Sequence, residues 1–211
     1  MSATLKPSVK GAQVVTGEVR LSYVHLLEPA EDLNGNLKYS TTVLIPKEDT
    51  ATVEAIKEAT TAAIRAGLQK KWGGVAPKKA ANSMKDADVD ENTAGEILAE
   101  KSPETAGHYV IPAKSSHAIQ VVDASLRTLE VGDEDKVYSG VYARVAMTPY
   151  LYSAQGKKGI AYALNSVQII RDGEPLGGAA PTKASSVFDA VVSGDISSSE
   201  EDSDLNSMLG L

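Results

Sequence analysis

The chain has no cysteine. That excludes a disulfide framework, a thiol nucleophile and a thiolate metal site, and it makes a reducing cytoplasm the default location. Histidine is scarce. His25, His108 and His117 show neither the close spacing of a helical metal pair nor thiol partners, so each reads as an ordinary polar or half-buried side chain. No apolar run approaches the ~20 residues that cross a bilayer, so no membrane is expected, and Met1–Pro7 has no apolar signal-peptide core. Phosphate-cradling loops and dinucleotide fingerprints are missing. Asp86–Glu91 has the look of a calcium loop but lacks the loop glycine and a bidentate Glu at the right offset, and reads as a solvated acidic loop. There is no paired acid and base, no nucleophile constellation and no clustered carboxylate set of the kind a nuclease needs for metal ions. No enzyme, no metal and no cofactor is therefore expected.

Positive charge is absent from one end only. None of the 21 Lys and Arg, but six of the 28 Asp and Glu, fall in residues 189–211. The net charge of −7 therefore splits into −1 on residues 1–188 and −6 beyond them. A nearly neutral body can still hold a local basic groove, since binding depends on where the charge lies.

Periodicity suggests an order of elements. Val19, Leu21 and Tyr23 alternate with Arg20, Ser22 and Val24 in a strand over residues 17–27. A turn cluster ending in Asn34-Gly35-Asn36 leads to a second strand over 37–45, with Tyr39, Thr41, Val43 and Ile45 on one face. Asp49 or Thr50 caps a helix that runs to Trp72, with Val53, Ile56, Thr60, Ile64 and Leu68 as its apolar face and Gly73-Gly74 as its stop. Lys70 and Lys71 close its last turn, where they also suit the helix dipole. Residues 73–107 are polar and read as a long insertion or loop with a short helix over 93–101, Thr93 and Glu96 having capping-box spacing. Strands follow over 107–111, 119–124, 137–152 and 159–171. Hairpins without alternating helices argue against a parallel sheet. The expected fold is mainly β with one long helix, an OB-fold-like antiparallel β-barrel or else a β-sandwich.

Aromatic residues are few and unevenly placed. There is one Trp and one Phe, yet five of the eight tyrosines fall within residues 138–162. On a strand over 137–152 one face is apolar, with Val141, Ala143, Val145 and Met147. The other face carries Tyr138, Tyr142, Arg144, Tyr150 and Tyr152. Rings of this kind can stack bases of any sequence, and Arg adds a phosphate or cation–π contact. The competing reading is a second buried face whose hydroxyls are satisfied. Lys157 and Lys158 sit in the adjacent Gly-flanked hairpin, either following a phosphate backbone or merely solubilising a turn. Beyond Gly194 a Ser-rich stretch leads to Glu200, Glu201, Asp202 and Asp204 and then to Leu209 and Leu211. An acidic segment with an apolar tip can dock in a basic-rimmed pocket of a partner or lie in the protein's own groove; it can also be a plain solvated terminus.

Taken together, Tyr138-Ser139-Gly140, Tyr142-Ala143-Arg144, Pro149-Tyr150-Leu151-Tyr152, Gly156 to Ala161, Leu164 to Gln168 and Asp172 to Gly178 resemble the phage-encoded single-stranded DNA-binding proteins with an OB fold. Gly107-His108-Tyr109 and Leu44 to Lys47 fit too. The acidic end is similar to that of replication single-strand binders, but closes in Leu-Gly-Leu rather than Phe. The resemblance implies an OB-like single-stranded DNA-binding domain over residues 1–188 and an acidic, disordered tail over 189–211. It implies a protein of the infected host's cytoplasm that coats single strands in replication or recombination. Its partners would be single-stranded DNA and, through Glu200, Glu201, Asp202, Asp204, Leu209 and Leu211, phage or host replication proteins. A homo-oligomer stays open, as does strand annealing. The alternative is a phage structural or assembly protein, equally β-rich and without an active site.

Overall fold

The computed structural model describes residues 5–177 apart from 33, 34, 79 and 155. All of these belong to one unit, Met1–Ala180. A small hairpin, β1 (Ser8–Lys10) and β2 (Gln13–Val15), precedes two long strands, β3 (Val19–Glu31) and β4 (Leu37–Pro46). Helix α1 (Thr50–Trp72) follows, then the short pieces β5 (Ala81–Asn82), β6 (Lys85–Asp86) and α2 (Leu98–Lys101) and a 3-10 turn at Pro103–Thr105. The chain closes with β7 (His108–Ser115), β8 (Gln120–Val122), β9 (Tyr142–Ala154) and β10 (Lys157–Arg171).

Five strands form a ring. β9 pairs β3, β3 pairs β4, β4 pairs β7, β7 pairs β10, and β10 returns to β9. Every one of these pairings is antiparallel except β7 with β10, which is parallel and only two residues long, Tyr162 beside Ala113 and Ala163 beside Lys114. The expected fold, mainly β with one long helix, is what the chain adopts, with this short parallel seam within it. One edge of β10 is shared by three segments in turn: β5 at Gly159 and Ile160, β7 at Tyr162 and Ala163, and β8 from Ser166 to Gln168. The ring encloses Leu21, Val43, Ile45, Ile111, Val145 and Met147, all fully buried.

Helix α1 matches its sequence signals. The Asp49 carboxylate accepts from the Thr52 amide at 3.1 Å, and Gly73 ends the helix at φ +70 with its N–H donating to Leu68 O. Its buried face is built from Val53, Ile56, Ala59 and Ala63. The small alanines let the helix lie close against β9. Thr60, Ile64 and Leu68 are only half-buried, so the stripe sits slightly rotated from the expected one.

Within the expected insertion over 73–107, residues 80–106 are more ordered than a loop. Ala87, Leu98 and Ala99 pack over Leu44 of β4 and Val110 of β7, covering the outward side of those strands at one end. The short helix is only four residues long, because the Asn92 side chain accepts from the Ala94 and Glu96 amides and holds that stretch in a turn. The expected strand over 137–152 also starts later, at Tyr142. Before it, Gly140 adopts φ +120 against the carbonyl of Glu174, a position where a Cβ would stand 2.2 Å from that oxygen. The backbone there seats residues 172–177, the Leu176 amide donating to Ser139 O at 2.8 Å, while the Gly140 amide still donates to Leu21 O of β3 at 2.7 Å.

Candidate nucleic-acid interface

The outward sides of the ring differ from strand to strand. On β9, alternation places Ala143, Val145, Met147 and Leu151 inward and leaves Tyr142, Arg144, Ala146, Thr148, Tyr150 and Tyr152 outward. Several of these outward groups are bonded within the protein. Arg144 donates to Thr16 O at 3.1 Å and to Lys6 O at 2.9 Å, which fastens the N-terminal segment. The Arg171 guanidinium lies 3.5 Å from the Tyr142 ring centroid, with Arg20 at 5.8 Å, and Arg171 also donates to Glu18 at 2.7 Å. Tyr138, outside the strand, donates to Gly173 O at 2.9 Å. Tyr152 lies over Gly159, and its carbonyl accepts from Trp72 Nε1 at 3.0 Å. Lys158 donates to Trp72 O at 3.1 Å and so caps α1. Tyr150, 47% exposed, and Lys157 remain open to solvent. The acidic positions Glu200 to Asp204 and the apolar Leu209 and Leu211 lie outside the described residues.

A groove of about 310 Å³ lies on the outward side of β3, β4 and β7. Its floor is small and polar. Ser40 of β4 stands between His25 of β3 and Lys114 of β7, and Thr42 stands beside Pro112. Lys38 flanks it and donates to Ser116 Oγ. Glu31 and Asp32 lie at the β3–β4 turn end, where the Asp32 carboxylate accepts from the Asn36 amide. The opposite end of the same strands is the region covered by Ala87, Leu98 and Ala99, with Leu176 packed alongside.

Tyr23 stands over this groove with 62% of its surface exposed. Its backbone has φ +50, a left-handed conformation that costs an L-residue roughly 1–2 kcal/mol. The cause is a β-bulge. Between the pairs Ser22–Thr42 and His25–Ser40, two residues of β3 oppose one of β4. Neighbouring side chains hold the bulge: Thr41 Oγ1 donates to Ser22 O at 3.1 Å, and the Val24 amide donates to Ser139 Oγ at 3.1 Å. A regular strand would send Tyr23 inward with Leu21; the bulge turns its ring out. Strain of this kind concentrates at functional sites. Tyr23, His25, Lys38 and Lys114 were not singled out as binding residues by sequence periodicity. The available signal is a change of parity, since Leu21 and Leu26 are both buried and cannot share a face of one regular strand.

Residues 12–203 match the family model of the ssDNA-binding protein of Enterobacter phage Enc34. The chain belongs to that family. The family is one of single-stranded DNA-binding proteins and is non-catalytic. The solved structure of the single-stranded DNA-binding protein from bacteriophage Enc34 in complex with ssDNA is 28% identical, with a TM-score of 0.65 over 83% of this chain and 100% of that one. A second structure of the Enc34 protein is 29% identical, with a TM-score of 0.61 over 88% of this chain and 99% of that one. No curated protein matches the chain. Among the described residues no helix is long and apolar enough to cross a membrane, and no group of His, Cys, Asp or Glu could hold a metal ion.

Proposed function

We propose that this protein coats single-stranded DNA with little sequence preference during phage replication or recombination, in the cytoplasm of the infected host. The observation that carries the reading is the strained, outward-turned Tyr23 over a groove flanked by Lys38 and Lys114. A relative in the same family has been solved with ssDNA bound. A tyrosine ring stacks any base, and two ammonium groups follow a backbone without reading sequence. Tyr150 and Tyr152 on β9 and Lys157 on β10 stand away from this groove and form no part of the first contact, and Tyr142 is stacked by Arg171. Tyr138, Arg144 and Lys158 serve chiefly to hold the fold through the bonds described above. The acidic end, with −6 against −1 on the body, competes with DNA for cationic surface and offers its apolar tip to replication proteins.

The test is a fluorescence titration with oligo-dT and with a matched duplex at two salt concentrations. Tyr23→Ala should weaken single-strand binding by about 1–3 kcal/mol, the range of one lost stacking platform, while Tyr23→Phe keeps the ring and most of the affinity. Truncation before Asp195 should tighten binding at low salt and matter less at high salt, where screening removes the competition. Normal affinity in Tyr23→Ala would remove the groove from the reading.

A further inference from the structure

A second cationic surface gathers where α1 meets β9 and β10. Two hydrogen bonds fix this junction, Trp72 Nε1 to Tyr152 O at 3.0 Å and Lys158 Nζ to Trp72 O at 3.1 Å. Lys70 and Lys71, in the last turn of α1, and Lys157, at the start of β10, are exposed beside it. Among the described residues none of these three forms an ion pair with a carboxylate. Tyr150 projects from the outward side of β9 two residues before Tyr152, with only the methyl of Ala161 opposite it in the ladder. A helix dipole accounts for lysines in a last turn. It does not account for Lys157 on a separate element or for the exposed Tyr150 ring on the same outward side of that hairpin, four residues along β9 from Ala154, the ladder partner of Lys157.

This surface is not the groove. In the ring β9 neighbours β3 and β10, whereas the groove lies over β3, β4 and β7. The outward sides of β9 and of β4 therefore point away from each other. A strand seated in the groove reaches Tyr150 and the lysines only by passing around the ring.

We propose that the Lys70–Lys71–Lys157 surface with Tyr150 is a second contact region for single-stranded nucleic acid, engaged by the continuation of a strand already held in the groove. The strand then wraps part of the ring. The inference rests on the groove being the first site. Three ammonium groups without an ion pair among the described residues take phosphates, and the Tyr150 ring takes a base of any identity.

The experiment uses the full chain, with oligonucleotide in excess so that each strand carries one protein. Two probes are titrated over a salt series: an oligo-dT of ~6 nucleotides and one of ~30, the second longer than the ~4–16 nucleotides that one OB fold covers. The variants are Lys70→Ala/Lys71→Ala/Lys157→Ala combined, the matching triple Arg replacement, and Tyr23→Ala, each checked for folding by circular dichroism. The Ala triple should bind the short probe like the wild type. On the long probe it should lose the added affinity, and its log–log salt slope should fall by about 2, from ~0.7 per lost contact. The Arg triple should keep the slope. An unchanged slope and affinity of the Ala triple on the long probe would overturn the second surface. Equal losses on both probes would also overturn it, because the lysines would then belong to the first site. If Tyr23→Ala leaves the short probe unaffected while the lysine triple loses it, the groove assignment fails and DNA binding stands. If the wild type binds neither probe, both readings fall.

Discussion

The start of β9, at Tyr142 and Arg144, carries on its outward side the same kinds of residue as β3–β4–β7 and has them bonded within the fold. On β9, Tyr142 is stacked by Arg171, and Arg144 grips the backbone of Lys6 and Thr16. Just before the strand, Tyr138 holds Gly173. These groups tie the two ends of the folded region to the ring. Over the groove, Tyr23 is turned out by a bulge, and Lys114 has no carboxylate in an ion pair among the described residues. A face rich in Tyr and Arg is thus not by that token a ligand surface. What decides is whether its polar groups already have partners, and whether the backbone bears strain to present them.

The sharpest way to break this comparison is at Gly140, where the seat for residues 172–177 is tightest. Gly140→Ala places a methyl against Glu174 O and forces a left-handed backbone on a residue with a Cβ. Overpacking and the backbone penalty together should cost about 3 kcal/mol of stability. The carbonyl it displaces also accepts from Arg20, so that bond goes too. Urea unfolding measures the loss. Oligonucleotide affinity should fall as well, because Ser139, next to Gly140, accepts from the Val24 amide and so holds the bulge that presents Tyr23. A variant of normal stability would show that residues 172–177 contribute little to holding the ring.

Much of this architecture is legible in the sequence, for reasons that can be named. The α1 boundaries follow from local chemistry, an Asp49 cap and a Gly73 stop, and local chemistry is what a sequence displays. The inward face of β9 follows from strict alternation over Ala143, Val145, Met147 and Leu151. The parallel seam between β7 and β10 is hidden because it joins two residue pairs distant in the chain and leaves no pattern in either strand. The covering formed by residues 80–106 is hidden because three apolar side chains, Ala87, Leu98 and Ala99, suffice to seat it on Leu44 and Val110. The bulge at Tyr23 is the most consequential omission. One extra residue reverses which side chains face out, so the tyrosine that periodicity assigns to the core stands over the groove.

A smaller effect separates the two faces from the other direction. Tyr138→Phe removes the hydroxyl that donates to Gly173 O and accepts from its amide, while leaving the ring in place. The expected loss is about 1 kcal/mol of stability, the usual net value of a protein hydrogen bond. Affinity for oligo-dT should not change. If affinity falls with stability unchanged, Tyr138 contacts DNA, and the anchoring account of this face is wrong.

The smallest expected effect concerns the covered end of β4 and β7. Lys47 reaches from just beyond β4 to Asp86 at 2.5 Å and Asp88 at 2.7 Å, and Asp88 also accepts from the Gly107 amide at 3.0 Å. These bonds hold the Asp88 carboxyl below its ordinary value of 3.8, and hydrogen bonds to the two carboxylates raise Lys47 to about 12. A depressed acid stabilises the fold above its unfolded value, and that contribution disappears as pH falls through the folded value. The raised lysine acts in the opposite direction, contributing in full below 10.5 and fading as pH climbs through about 12. Asp88 is exposed and Lys47 and Asp86 are half-buried at the surface, within reach of water, so screening keeps the effect small. Acidification below 3.8 should therefore shift the amide resonances of Ala87 and Gly107 without unfolding the ring, and Asp88→Asn at neutral pH should reproduce most of the Gly107 shift. The cover itself should stay seated, since Leu44, Ala87 and Val110 are buried without any charge among them. Release of the cover on acidification, seen as new dye-binding apolar surface, would mean that ions rather than apolar contacts keep this half of the strands closed while the groove half stands open.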